Sequence, residues 1–121
     1  MKLDHINFTV TDVETASAFL KTYFEYADAF EDNNDYISVL VSKDGTYINL
    51  MRGADPIYPK TFHIGFDAQT EANVNAFYER LTNDGLAINP PKHAWGSWTF
   101  HFKCPGSDFV IELACASEQT E

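Results

Sequence analysis

One hydrophobic pattern occurs twice along this chain, and no other feature restricts its fold as much. Leu3, Ile6, Phe8 and Val10 are apolar, and His5, Asn7 and Thr9 take the opposite face. A period of two marks a half-buried strand. Thr11-Asp12-Val13-Glu14 then reads as a capping box opening a helix, with Ala16, Phe19, Leu20, Tyr23 and Phe24 at helical spacing. An acidic, irregular stretch, 28–35, has room for a short strand. Tyr36–Ser42 reads as a strand, Lys43-Asp44-Gly45 as a hairpin turn and Thr46–Met51 as its partner. After Pro56 and Pro59 the order repeats. Phe62, Ile64 and Phe66 alternate with His63, Gly65 and Asp67. Thr70 opens a helix carrying Val74, Phe77, Tyr78 and Leu81, which Gly85 is placed to end. A short strand is expected over Leu86–Asn89, then strands over Trp98–Cys104 and Phe109–Cys115 around a Pro105–Asp108 turn.

The implied fold class is α+β: two tandem βαβββ units, each with one sheet face under its helix and the other left partly polar. A single domain 1–121 is expected, with unit 1 at about 3–51, a linker at 52–60, unit 2 at about 61–115 and a polar tail at 116–121. Overlaying the halves puts His63 on His5, and Ile111-Glu112-Leu113 on Ile48-Asn49-Leu50.

Composition excludes several functions. With 45% hydrophobic residues, ten Phe and six Tyr, the chain can build a core without disulfides. Its net charge of −10 repels phosphate backbones, so nucleic acid is a poor partner. No apolar run approaches spanning length, and Met1–His5 leads into strand pattern without a signal-like stretch, so no membrane association and a cytoplasmic location are expected. Cys104 and Cys115 form no CxxC pair and read as buried, reduced thiols. Phosphate-cradling glycine motifs and the G-x-S-x-G elbow are absent.

What remains is the polar sheet face. His5, His63 and Glu112 all lie opposite the apolar residues of their strands. Two imidazoles and a carboxylate suit Mn²⁺, Fe²⁺, Ni²⁺ or Zn²⁺ and leave positions open for substrate. In Thr99-Phe100-His101-Phe102-Lys103 the two Phe should face the helix, which puts His101 on the side of Glu112. There it is a candidate general acid–base or substrate-binding group, with a structural hydrogen bond as the competing use. Asn7 and Tyr47 should line the same cavity. Trp95 and Trp98 flank Gly96-Ser97 and read as an aromatic wall or mobile lid, with core packing as the competing use. Arg52, after the fourth strand, is a candidate for holding an anionic substrate or a plain surface cation.

Leu3-Asp4-His5-Ile6-Asn7-Phe8-Thr9-Val10, Thr61-Phe62-His63-Ile64-Gly65-Phe66 and Phe109-Val110-Ile111-Glu112-Leu113, in that order, resemble the first, fifth and last strands of the vicinal oxygen chelate superfamily. That superfamily includes glyoxalase I, fosfomycin-resistance thiol transferases, extradiol dioxygenases and bleomycin-resistance proteins. The resemblance runs from Leu3 to about Cys115. It implies cupped mixed sheets, His5, His63 and Glu112 as metal ligands, and Asn49 where some members carry Glu or Gln, as a weak ligand or a substrate contact. It also implies a homodimer with shared sites, His5 of one chain joining His63 and Glu112 of the other. The function implied is a divalent-metal-dependent enzyme acting on a small oxygen-chelating substrate, of lyase, isomerase, thiol transferase or dioxygenase type. The competing reading is a metal-free protein of bleomycin-resistance type that sequesters an aromatic, cationic ligand.

Overall fold

The computed structural model describes residues 1–117. The chain divides into two units: Met1–Pro59 with Cys104–Asp108, and Lys60–Lys103 with the segment from Phe109 onward. In the first, β1 (His5–Val10), α1 (Val13–Phe24), β2 (Ala27–Asp28), β3 (Ile37–Val41) and β4 (Tyr47–Arg52) follow one another. They form a sheet of order β1-β4-β3-β2, with β1 parallel to β4 and the other pairs antiparallel. In the second, β5 (His63–Asp67), α2 (Glu71–Asn83), β6 (Lys92–Ala94), β7 (Ser97–Lys103) and β8 (Val110–Ala116) repeat that topology as β5-β8-β7-β6. Each unit is therefore βαβββ, and the anticipated fold class holds.

Alternation along the strands explains the layering. In unit 1, Phe8, Val10, Leu40, Ile48 and Leu50 are buried under α1, which contributes Val13, Ala16, Phe19 and Leu20. In unit 2, Phe100, Phe102, Ile111 and Leu113 are buried on the α2 face with Val74 and Leu81. Each fully buried Leu, Ile or Phe contributes about 1.5–3 kcal/mol relative to exposure. Tyr78 of α2 meets Phe100 edge-on at 5.6 Å between ring centroids.

Three local expectations are corrected. The first helix is capped by Asp12, one residue later than the capping box suggested: its carboxylate accepts the Thr15 N–H and the Thr15 hydroxyl. Those bonds hold the Asp12 carboxyl below the usual carboxylate range. The short strand of the second unit is Lys92–Ala94, not Leu86–Asn89. Lys92–Ala94 pairs antiparallel with β7, whereas residues 86–89 follow the helix cap, and the Ile88 carbonyl accepts from Tyr78 Oη. Strand β4 runs to Arg52, one residue into the expected linker. Of the tail 116–121, Ala116 completes β8 and Ser117 donates its N–H to Gly96 O; residues 118–121 lie outside the described residues.

The second helix starts and stops as its sequence indicated. Thr70 Oγ1 accepts the Asn73 N–H. Gly85, at φ +101°, turns the chain so that its N–H reaches Thr82 O and the Leu86 N–H reaches Leu81 O. Both cysteines are buried thiols outside any disulfide. Burial pushes the Cys104 thiol up to about 12, so at neutral pH it stays protonated and is no nucleophile. No helix among the described residues is long and apolar enough to cross a membrane.

Candidate metal centre

The uncovered face of the second sheet collects the polar groups of three adjacent strands. Register places Gly65 of β5 and His101 of β7 on either side of Glu112 of β8. His63 shares the face of Gly65 two residues earlier, and Thr99 shares that of His101. Gly65 adds no side chain at this point; a Cβ there would stand 4.0 Å from Glu112 Oε1. His63 Nε2 lies 3.1 Å from Glu112 Oε1, and His101 Nε2 lies 3.4 Å from Glu112 Oε2. The two imidazoles meet nearly edge-on, 5.6 Å between centroids at 83°. Among the described residues these three form the group able to hold a metal ion, with ligand atoms all within 4.8 Å of one another.

The donor chemistry fits a cation. His63 Nδ1 lies 3.0 Å from the Thr61 carbonyl oxygen, which can only accept, so Nδ1 carries the proton. In the neutral ring, Nε2 then presents its lone pair to Glu112 Oε1, itself an acceptor. Two acceptors at 3.1 Å repel unless a positive charge lies with them, as an imidazolium proton or a metal ion. Donors bound at about 2.0–2.2 Å to one ion stand roughly 3.0–3.5 Å apart when adjacent, so the spacing suits shared coordination. A backbone carbonyl on the far ring nitrogen is also the usual outer support of a metal-bound histidine. The side chains of His63 and His101 are each 42% exposed and that of Glu112 21%, which leaves solvent-side positions for a substrate.

The structure therefore brings His63, His101 and Glu112 together. His5 opens β1 in the first unit, with its Nδ1 3.0 Å from Asp4 Oδ2. Asn7, Tyr47 and Asn49 share the uncovered face of that unit, Asn7 opposite Asn49 and His5 opposite Tyr47. Asn49 Nδ2 donates to Asn7 Oδ1 at 2.6 Å, and its buried Oδ1 has no hydrogen-bond partner among the described residues. By register, Asn49 occupies in unit 1 the place of Glu112, Val39 that of His101 and Ile37 that of Thr99. The duplication thus keeps only His5 of the donor set in its first copy.

The remaining candidates stand elsewhere. Trp98 shares the face of Phe100 and Phe102, and its Nε1–H donates to Asn75 Oδ1 of α2 at 2.8 Å, so it is turned away from Glu112. Trp95 is fully exposed in the turn between β6 and β7, at φ +54° before Gly96 at φ +77°. Arg52 lies over the Tyr36 ring, 4.2 Å from its centroid, and 3.6 Å from Asp35 Oδ2. Sequence reasoning missed Thr99, which is 1% exposed and whose Oγ1 lies 2.6 Å from Glu112 Oε2. Its parity with His101 was the available signal.

Comparison with known proteins agrees with the fold. A solved structure described as a possible glyoxalase from Bacillus cereus superposes with a TM-score of 0.88 at 39% identity, covering 95% of this chain and 99% of that one. The fosfomycin resistance protein FosX from Listeria innocua is 27% identical over 95 residues, 74% of this chain and 70% of that protein. FosX from Listeria monocytogenes shares the fold at a TM-score of 0.79 and 22% identity, over 98% of this chain and 95% of that one. A mutant of that FosX was solved with Mn(II) and 1S,2S-dihydroxypropylphosphonic acid. Residues 2–113 match the model of one family, and the chain belongs to it: the Glyoxalase/Bleomycin resistance protein/Dioxygenase superfamily.

Proposed function

We propose that this protein is a divalent-metal-dependent enzyme acting on a small substrate that offers two adjacent oxygens. The observation that carries the reading is the convergence of His63 Nε2 and Glu112 Oε1 3.1 Å apart on an uncovered sheet face, the spacing of adjacent ligands on one ion. We assign His63 and Glu112 as ligands, completed in a homodimer by His5 of the partner subunit, as the family pattern implies. The ion, Mn²⁺, Fe²⁺, Ni²⁺ or Zn²⁺, would supply Lewis acidity that stabilises an oxyanion.

The other groups then take distinct roles. His101 faces the far oxygen of Glu112 and is half-exposed, so it is the group placed to move a proton to or from a bound substrate. Asn7, Tyr47 and Asn49 are the polar lining we assign to substrate contact. Arg52 is already paired with Asp35 and stacked on Tyr36, so a phosphonate there would have to share its guanidinium with a carboxylate of like charge. This weighs against carrying the FosX relatives' substrate over to this chain, and lyase, isomerase, thiol transferase and dioxygenase chemistries all fit the remaining geometry.

Calorimetric titration of chelator-treated protein with Mn²⁺, Ni²⁺ and Zn²⁺ tests the reading. One ion bound per chain is expected. Absence of binding to all three, together with thermal stabilisation by bleomycin-like aromatic cations, would replace it with metal-free sequestration.

A further inference from the structure

We infer that Thr99 is a positioning residue that decides which oxygen of Glu112 meets the cation. The inference rests on the metal reading above and adds a residue to it. Thr99 is 1% exposed in the middle of β7, and its Oγ1 is 2.6 Å from Glu112 Oε2 and 3.1 Å from the Leu113 carbonyl oxygen. Both neighbours can only accept, and the hydroxyl has one proton. The shorter contact, to an ionised oxygen, takes it. Glu112 Oε2 is then held from β7 by Thr99, with His101 Nε2 3.4 Å away on the same oxygen.

The two carboxylate oxygens are thereby sorted. Oε1 faces His63 and keeps its lone pairs for the ion, while Oε2 is committed to its own sheet. Glu112 would hold an ion through Oε1 alone, leaving Oε2 to Thr99 and His101. A buried hydroxyl serves here as the outer support of a ligand, the role that carbonyls and carboxylates commonly play for metal-bound histidines.

Thr99→Val replaces the hydroxyl by a methyl of similar size, and Thr99→Ser restores the donor. Mn²⁺ titration of the three proteins is expected to show binding 10- to 100-fold weaker for T99V and within about threefold of wild type for T99S, the loss usual for an outer ligand support. Infrared spectra of the Mn²⁺ complexes should show the carboxylate stretches of Glu112 moving from a one-oxygen to a two-oxygen binding pattern in T99V alone. A T99V protein that binds Mn²⁺ as wild type does, or a T99S protein as weak as T99V, overturns the inference. If wild type itself takes up no Mn²⁺, the metal reading fails first and this inference falls with it.

Discussion

Replacing Glu112 by Gln is expected to weaken Mn²⁺ binding by more than about 100-fold, beyond the loss typical of an outer support, because a ligand itself is removed. The side chain keeps its shape, and its surroundings explain why the fold should tolerate the change. Thr99 Oγ1 can still donate to a carbonyl oxygen at the Oε2 place, and the new amide N–H can donate to the His63 Nε2 lone pair that now faces an acceptor. The thermal midpoint of the metal-free protein should therefore hold or rise while metal affinity collapses. Calorimetry and thermal unfolding on one preparation measure both. If E112Q bound Mn²⁺ within a few-fold of wild type, the carboxylate would be no ligand.

The largest stability loss is expected at Gly106. Pro105 and Gly106 form the middle of a turn closed by Ser107 N–H to Cys104 O, with Gly106 at φ +82°. Its carbonyl accepts from the Asp12 N–H and the Thr11 hydroxyl at the start of α1. A Cβ at this position would lie 2.7 Å from Asp12 O and 2.9 Å from Ala16 N, the two atoms of the first hydrogen bond of that helix. Gly106→Ala thus combines a left-handed conformation, costing about 1–2 kcal/mol, with overpacking against backbone, costing about 1–3 kcal/mol. A loss of about 2–5 kcal/mol should appear in urea unfolding. Gly85→Ala is the control: φ is positive there too, at +101°, but nothing lies within 4 Å of the added methyl, so only the conformational cost applies. Equal losses at the two positions would show that the helix contact carries no weight.

Much of this architecture could be read from residue order, because period-two alternation states which face of a strand is buried. Leu3–Val10 and Thr61–Asp67 announced the first strand of each unit, and Phe100 and Phe102 announced which side His101 would take; that each first strand runs parallel to the last emerged only from pairing. His63 and Glu112 were legible for the same reason. The remainder depended on pairing. Residues 92–94 carry no alternation and become a strand only because β7 offers them an edge. That His101 stands directly beside Glu112 follows from hairpin register, which depends on how the Pro105-Gly106 turn closes. Thr99 belongs to no motif; its role exists only because its hydroxyl is buried beside a carboxylate. Trp98 shows the converse. Its proximity to Trp95 suggested a shared aromatic wall, whereas the structure puts it on the face of Phe100 and Phe102, where the Asn75 contact takes it to α2.

The direct measurement is a crystal structure of the protein soaked in Mn²⁺, with anomalous scattering collected at the manganese edge. A single strong peak per chain is expected, bonded to His63 Nε2 and Glu112 Oε1, with His5 of the partner subunit as the third protein ligand and His101 beyond bonding distance. A fully occupied crystal form with no peak at His63 and Glu112, or with manganese only at surface carboxylates, would contradict the account.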